Sequence, residues 1–240
     1  MEKSLPKTES VLAERVRDRR RPLERESLRE QIGRSLRWSL FSGDMLPGET
    51  FSVPSLAQEF GVSATPVREA VLDLVQQGLV VVLPNKGYRV AYTSPKEMLE
   101  NVEVRKLIEV PATIDVAAKI SLDELAFLRE MALSILEHAH EGNVKGFVSV
   151  DYEFHWNLLN LKGNGTLTEL VEDLRSRARI QAVPLIALAG RMVETAEEHI
   201  QLLDAMEARD FVNVERIVLL HMSHALDGIE SHNRAAAETS

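Results

Sequence analysis

The sequence predicts a mainly α-helical protein: a small N-terminal unit of short helices and a β-hairpin, followed by an all-α antiparallel bundle of six to seven helices. Short helical patterns separated by turn residues end near residue 78, a run of β-branched residues follows, and from residue 95 apolar residues recur at helical spacing. The predicted boundaries are a mobile tail over 1–25, the small unit over 26–92, the bundle over 93–232 and a mobile tail over 233–240.

Composition and charge exclude several classes of protein. The chain has no cysteine, which excludes disulfides, thiolate catalysis and cysteine-ligated zinc. No apolar run approaches the ~20 residues of a membrane span, and the N-terminus lacks a signal-peptide apolar region, so we expect a cytoplasmic protein with no membrane partner. The net charge of −9 is uneven, because residues 1–92 hold 14 Lys and Arg against 12 Asp and Glu, whereas residues 93–240 hold 14 against 25. The acidity therefore belongs to the bundle.

The small unit contains a predicted helix-turn-helix. A first helix from Leu28 should end at Gly43, and a short amphipathic helix over 54–60 leads through a tight turn into a further helix. Ser63 should cap that helix with its side chain, and Pro66 falls in the first turn, where its missing N–H costs nothing. Double-stranded DNA is the partner that this motif indicates.

A β-hairpin follows directly, with strands predicted over 79–83 and 88–91. Behind a helix-turn-helix such a hairpin is a wing. Lys86 and Gly87 at its tip are expected to approach a phosphate or the minor groove, and the alternative is an ordinary turn.

The bundle is predicted from periodic apolar segments separated by capping and turn residues. These segments cover residues 95–119, 122–141, 144–161, 166–189, 192–208 and 211–230. Pro111 and Pro184 fall inside two of them and are expected to kink those helices.

Four residues of the bundle have the chemistry of metal ligands. Asp151 and His155 lie four residues apart and so share one face of a predicted helix, while His199 and His221 lie on later helices. Three helices of a bundle can bring them together, and one carboxylate with three imidazoles suits zinc, nickel or manganese. On spacing alone, buried and merely hydrogen-bonded histidines remain the alternative.

Two sets of motifs resemble one known family. The N-terminal set is Pro47-Gly48, Leu56-Ala57, Gly61-Val62-Ser63, Thr65-Pro66-Val67-Arg68-Glu69-Ala70, Gly78-Leu79-Val80 and Gly87…Val90. The C-terminal set is Glu103-Val104-Arg105…Glu109, Asp151-x-x-Phe154-His155, Gly163-Asn164, Glu198-His199 and His221. Together they are similar to the GntR family of transcription regulators, in its subfamily with an FCD (fatty-acid-regulator C-terminal) ligand-binding domain.

The resemblance implies a homodimeric regulator that binds an inverted-repeat DNA operator. Its operator affinity should change when a small-molecule effector, expected to be a carboxylate, binds in the bundle beside a divalent metal ion. Zinc is the first expectation for the metal, with nickel or manganese as alternatives. The implied metal ligands are Asp151, His155, His199 and His221. The implied effector-binding residues are Arg105, Arg175, Arg179 and Asn164. For Arg105, a salt bridge is the alternative role.

The resemblance also implies a set of DNA contacts. The residues expected at the DNA are Ser63, Ala64, Thr65, Pro66, Arg68, Lys86 and Gly87. Arg68 should read a base edge, while Ser63 and Thr65 should contact phosphates. Ala64 stands where many members carry arginine, and alanine can touch a thymine methyl but cannot make the bidentate contact of arginine to guanine. The operator is therefore expected to differ from the family norm.

Two other functions stay open at this point. In the first, the ion itself is the signal and the protein is a metal sensor. In the second, an open metal position activates water in a hydrolase or lyase. The enzyme hypothesis does not account for residues 28–91 and finds no evident general acid or base beyond Glu197 and Glu198. We therefore expect a regulator without enzymatic activity.

Overall fold

The structure, a computed structural model, describes the backbone of residues 26–238 and the side chains of residues 26–224. Its elements are α1 Leu28–Ser42, β1 Thr50–Phe51, α2 Val53–Phe60, α3 Ala64–Gln76, β2 Val80–Leu83, β3 Gly87–Val90, α4 Pro95–Ala117, α5 Leu122–His140, α6 Val144–Asn160, α7 Gly165–Leu188, α8 Met192–Glu207 and α9 Phe211–Glu238. The tail predicted over 1–25 lies outside the described residues. The mainly helical fold, with a winged helix-turn-helix before a helical domain, is confirmed.

The winged unit is built on α3, which packs against α1 and α2. The wing is a three-stranded antiparallel sheet in the order β1-β3-β2, with Thr50 opposite Arg89 and Leu83 opposite Gly87. The sequence did not predict β1, because a strand of two residues is too short to show an alternating pattern.

Helix capping follows the sequence at most helix starts but not at α3. Ser94 and Ser121 form reciprocal capping boxes with the glutamates three residues later. Ser63 occupies the N-cap position of α3, yet its side chain makes no capping hydrogen bond. The predicted cap at Ser63 is therefore right in its position, but the predicted capping hydrogen bond is absent and the residue is exposed.

The second region contains six helices, α4 to α9, over the residues that the structure describes. Helix α9 continues to Glu238, past residue 230, where the pattern predicted its end, and through residue 233, where a tail was predicted to start. Residues 234–238 contain three alanines and no Gly or Pro. Because alanine is the strongest helix former, nothing in this stretch ends the helix.

The two regions share one apolar core, and α1 lies between them. Helix α1 packs against α3 on one side and against α6 and α7 on the other. Trp38 meets Tyr152 edge to face with ring centroids 5.5 Å apart, Lys145 Nζ lies 2.6 Å from Asp44, and Gln181 donates a 2.8 Å hydrogen bond to the carbonyl of Thr93. The helix that supports the DNA-binding motif is thus part of the wall of the bundle.

Candidate metal and effector site

The four predicted metal ligands converge in the interior of the bundle. Asp151 and His155 come from α6, His199 from α8 and His221 from α9, and their ligand atoms all lie within 4.8 Å of one another. His199 Nε2 is 3.1 Å from both Asp151 Oδ1 and His155 Nε2, and His155 Nε2 is 3.4 Å from Asp151 Oδ1. These four residues are called the ligand cluster below.

Local contacts orient the imidazole rings of the ligand cluster. Phe154 packs edge-on against His155 and His199, with centroid distances of 5.1 and 4.8 Å. His199 Nδ1 lies 3.1 Å from the backbone carbonyl of Thr195, and His221 Nδ1 lies 2.9 Å from Glu198 Oε2. A Nδ1–H bonded in this way leaves Nε2 unprotonated, which is the form that binds a metal ion.

The electrostatic environment favours the protonation states that a metal site requires. Burial opposes ionisation of Asp151, but His155, His199 and Arg179 hold its pKa well below the ordinary value. Burial and the nearby Arg175 guanidinium lower the pKa of His155 against the pull of Asp151. Burial also lowers the pKa of His221 to about 4. At neutral pH the cluster therefore offers the Asp151 carboxylate and neutral imidazoles at His155 and His221.

A layer of paired charges lies beside the ligand cluster. We call it the buried ion cluster; its members, none more than 7 % exposed, are Arg105, Glu109, Asp151, Glu172, Arg175, Arg179 and Glu198. Arg105 Nε donates to Glu109 over 3.0 Å, and Arg175 bonds the other oxygen of the same carboxylate. The salt bridge named as the alternative role of Arg105 is thus present.

Arg179 connects the ligand cluster to the N-terminal unit. Its Nη2 lies 3.1 Å from Asp151 Oδ2, and another of its N–H groups bonds Glu172. The guanidinium carbon lies 6.0 Å from the ring centre of Phe41 on α1 and 5.4 Å from that of Tyr152. One side chain therefore contacts both a candidate ligand and the helix behind the DNA-binding motif.

Two small cavities flank the ligand cluster. One, of about 60 Å³, has Arg105, Asp151, Arg175 and Arg179 in its lining, and the other, of about 20 Å³, has Glu109 and the three histidines. The first has room for a few waters or a very small acid. A larger cleft of about 680 Å³ opens between α1, α3, α6 and α7, but its Arg29 is already paired with Asp73 at 2.5 Å and no ligand-cluster residue lines it.

Asn164 is not brought to these cavities. It is exposed, and its side chain accepts a hydrogen bond from the backbone N–H of Leu167, so that it caps the start of α7. An effector role was predicted for this residue, but it lines neither cavity. Asn164 is held at the start of α7 because an asparagine just before a helix accepts a hydrogen bond from an otherwise unpaired N–H group.

Sequence reasoning gave no role to three carboxylates of the site, Glu109, Glu172 and Glu198. Glu109 could have been found from its position four residues after Arg105 on one helix. For Glu198 the sequence leaves two alternatives open together with Glu197, a general acid or base and a charge pair at a helix N-terminus. Glu198 is buried in the second turn of α8, with its oxygens at 2.9 Å from His221 and 2.5 Å from His224.

The expected DNA-contacting residues lie at the start of α3 and around the turn between β2 and β3. Ser63, Thr65, Arg68 and Lys86 are exposed, and Ala64 and Pro66 are partly buried. Exposed Arg89 on β3 is a further cation that the sequence did not single out.

Gly87 is not at the tip of the wing, as predicted, because the turn is formed by Pro84, Asn85 and Lys86. Gly87 is the first residue of β3. It has a φ of +91°, and an added Cβ would lie 2.5 Å from the Phe51 carbonyl oxygen. Glycine is therefore required here for the close approach of β1.

Comparison with known proteins agrees with this architecture. Residues 28–90 match the model of bacterial regulatory proteins of the gntR family, and residues 100–224 match the FCD domain. The transcriptional regulator McbR of Escherichia coli is 27 % identical over 190 residues, covering 77 % of this chain and 84 % of McbR. An HTH-type transcriptional regulator of Streptomyces ambofaciens is 26 % identical over 203 residues, covering 84 % of this chain and 85 % of that protein.

Solved structures show the same fold. The structure of E. coli McbR superposes with a TM-score of 0.76 at 23 % identity, covering 86 % of this chain and 99 % of that one. A putative GntR regulator from Rhodococcus sp. RHA1 gives 0.68 at 20 % identity, covering 85 % and 97 %. With a winged helix-turn-helix and an FCD domain both matched, the chain is a DNA-binding transcription regulator and belongs to the FCD group of the GntR family.

Proposed function

We propose that the bundle binds a divalent metal ion through the ligand cluster and a small carboxylate effector beside it, and that the effector controls the affinity for operator DNA. The observation that carries this proposal is the convergence within 4.8 Å of four ligand atoms from three different helices, with Asp151, His155 and His199 buried and His221 partly buried. Buried carboxylates and imidazoles are costly without partners, so a constellation of this kind favours a cation.

The donor set fits a borderline divalent ion. Three imidazole nitrogens and one carboxylate oxygen are ligands that zinc accepts, and nickel or manganese also suits them. Four protein ligands leave coordination positions open on an ion that accepts five or six. When bound, the metal would supply a Lewis-acidic position for an effector carboxylate.

The charge balance supports an anionic effector. With neutral imidazoles, the three guanidinium groups and four carboxylates of the buried ion cluster leave one net negative charge. A divalent cation would reverse this to one net positive charge. Because an uncompensated charge in the interior is unfavourable, the metal-loaded site should attract a small anion such as a carboxylate.

The side chains around the larger cavity have donors for such an anion. Arg175 Nε is buried and has no hydrogen-bond partner among the described residues, and Arg105 uses only its Nε in the hydrogen bonds of this region. Both line the cavity next to Asp151 and His221. We assign Arg105 and Arg175 to carboxylate binding and Arg179 to holding Asp151 in place.

At the DNA, we assign base reading to Arg68 and phosphate contacts to Ser63, Thr65 and Lys86. Arg68 is exposed in the first half of α3, whereas Val67 and Val71 on the same helix are buried. A homodimer would place two such helices on the half-sites of an inverted repeat, about one turn of DNA apart. The effector can change operator affinity only by binding one arrangement of the helices more tightly than another.

Metal content tests the ligand cluster directly. Purified protein is loaded with zinc, dialysed and subjected to elemental analysis, and we expect about one zinc per chain. His199→Ala should lose the metal, and His140→Ala, an exposed histidine outside the cluster, should keep it. Equal metal content in both variants would overturn the assignment.

Operator binding separates the effector hypothesis from the metal-sensor hypothesis. Affinity is measured at fixed salt for chelator-treated and zinc-loaded protein, each with and without a panel of small carboxylic acids. The effector hypothesis expects a change in affinity from one acid only when zinc is present. If zinc alone sets the affinity and no acid alters it, the protein is a metal sensor.

A further inference from the structure

Glu198 makes a contact that neither the ligand set nor the DNA contacts account for. The residue is only 3 % exposed, and its two carboxylate oxygens contact two histidines of α9: Oε2 lies 2.9 Å from His221 Nδ1 and Oε1 lies 2.5 Å from His224 Nε2. The carboxylate is thereby fixed on both sides. It links α8, which carries His199, to α9.

The three histidines of the ligand cluster are held in different ways. His199 Nδ1 faces the Thr195 carbonyl of its own helix, which no side-chain substitution can remove. His155 shares α6 with Asp151, so that the helix itself sets their spacing. His221 is alone on α9 and is the most exposed of the three, at 16 % of its side chain, and its orientation rests on Glu198.

From these contacts we propose that Glu198 is a positioning residue of the metal site. It accepts the proton of His221 Nδ1, which fixes the tautomer in which Nε2 is unprotonated and faces Asp151, His155 and His199. This inference rests on the proposed metal function, because it gives Glu198 a role only toward a bound ion. A carboxylate in this position also raises the basicity of the imidazole that it contacts.

The competing explanation is a simple charge effect. Glu198 adds one negative charge near the site, and any such charge attracts a cation without orienting His221. The two explanations differ in one respect: positioning acts through His221, whereas the charge effect persists when His221 is absent.

A double-mutant cycle distinguishes them. Zinc affinity is measured by competition with a chromogenic chelator. The proteins compared are the full-length wild type, Glu198→Gln, His221→Ala and the double variant. Glu197→Gln is the matched control, because Glu197 is the exposed neighbour of Glu198 on the same helix. We expect Glu198→Gln to weaken zinc binding by roughly 10- to 100-fold, as removal of an outer partner of a metal-binding histidine does. Glu197→Gln should change it less than about twofold, a surface-charge effect.

In the His221→Ala background the effect of Glu198→Gln should disappear. An equal loss in both backgrounds would overturn the positioning role in favour of the charge effect, and unchanged zinc affinity in Glu198→Gln would overturn both. If the wild type itself binds no zinc, the proposed metal function fails, and this outcome is distinct from either of the others.

A spectroscopic measurement covers the case in which a variant is too unstable for titration. The ¹⁵N shifts of the His221 imidazole in metal-free wild-type protein at neutral pH should show a protonated Nδ1 and an unprotonated Nε2. Glu198→Gln should shift this tautomer balance, and Glu197→Gln should not. A His221 ring already in the opposite tautomer in the wild type would contradict the inference.

Discussion

At the scale of single residues, the Glu109 carboxylate compensates the charge of two buried guanidinium groups, those of Arg105 and Arg175. Burial opposes its ionisation, but Arg105 and Arg175 hold its pKa below the ordinary value of 4.5. Glu109→Gln should therefore lower the free energy of unfolding by about 3 kcal/mol at pH 7, because it leaves buried arginine charge uncompensated. Glu103→Gln, exposed on the same helix, serves as the control and should have little effect.

The pH dependence of this effect follows from the direction of the pKa shift. A carboxyl group with a lowered native pKa stabilises the fold fully above its unfolded pKa and loses that contribution as pH falls through the native value. The stability difference between wild type and Glu109→Gln should therefore be constant from pH 7 to about pH 5 and shrink below 4.5. Denaturant unfolding at several pH values measures it, and a difference that grows on acidification would contradict the assigned ion pairs.

For DNA recognition, the prediction at the scale of single residues concerns the contact of Arg68 with a base. Arg68→Ala should weaken specific operator binding by about 1–3 kcal/mol, the cost of one lost base contact, because the side chain is exposed on the recognition helix. Affinity is measured at fixed salt on the operator and on an unrelated duplex. Arg216→Ala, an exposed arginine of α9, is the control and should leave both affinities unchanged. A loss of equal size on both duplexes would assign Arg68 to a phosphate contact instead.

At the scale of elements, the wing depends on the close contact between β1 and β3. Gly87 and Gly48 both have positive φ, +91° and +85°, but only Gly87 has a neighbouring backbone atom where a Cβ would stand. Gly48→Ala should cost about 1–2 kcal/mol from backbone strain alone. Gly87→Ala should cost more, because it also forces β1 away from β3, and thermal unfolding of the two variants compares them directly.

Elements with local signals were the ones that sequence reasoning predicted well. The starts of α4 and α5 are predicted by Ser94 and Ser121, each followed three residues later by a glutamate that completes a capping box. The convergence of Asp151 with His155 followed from helical spacing, although three-helix convergence became an expectation only through the family resemblance. The two features that the sequence did not predict, strand β1 and the contacts of Glu198, depend on residues that are distant in the chain. Strand β1 forms by pairing with β3, and Glu198 reaches the histidines of α9 because α9 packs beside α8.

At the scale of the whole molecule, the two regions should unfold together. Phe41 is fully buried, and α1 packs both on α3, the second helix of the helix-turn-helix, and on the bundle. The chain has two tryptophans, Trp38 in α1 and Trp156 in α6. The Trp156→Phe variant keeps only Trp38 of α1 as a fluorescence probe, and the Trp38→Phe variant keeps only Trp156 of α6. We expect the two variants to give coincident denaturation midpoints, as for a cooperative unit. Separate midpoints would show that the core is not shared in solution.

Among the helices that the structure describes, none combines the length and the apolar composition needed to cross a membrane.

Arg179 lies between the candidate metal site and the helix that supports the DNA-binding motif. The guanidinium bonds Asp151 on one side and lies against the ring of Phe41 on the other. Communication between the candidate metal site and the DNA-contacting residues requires a two-state element that both sites bias. Arg179 touches a candidate ligand and α1, the helix that packs against α3. Under the proposed function, the coupling between the two sites equals the difference in free energy with which an effector binds the two arrangements of the helices.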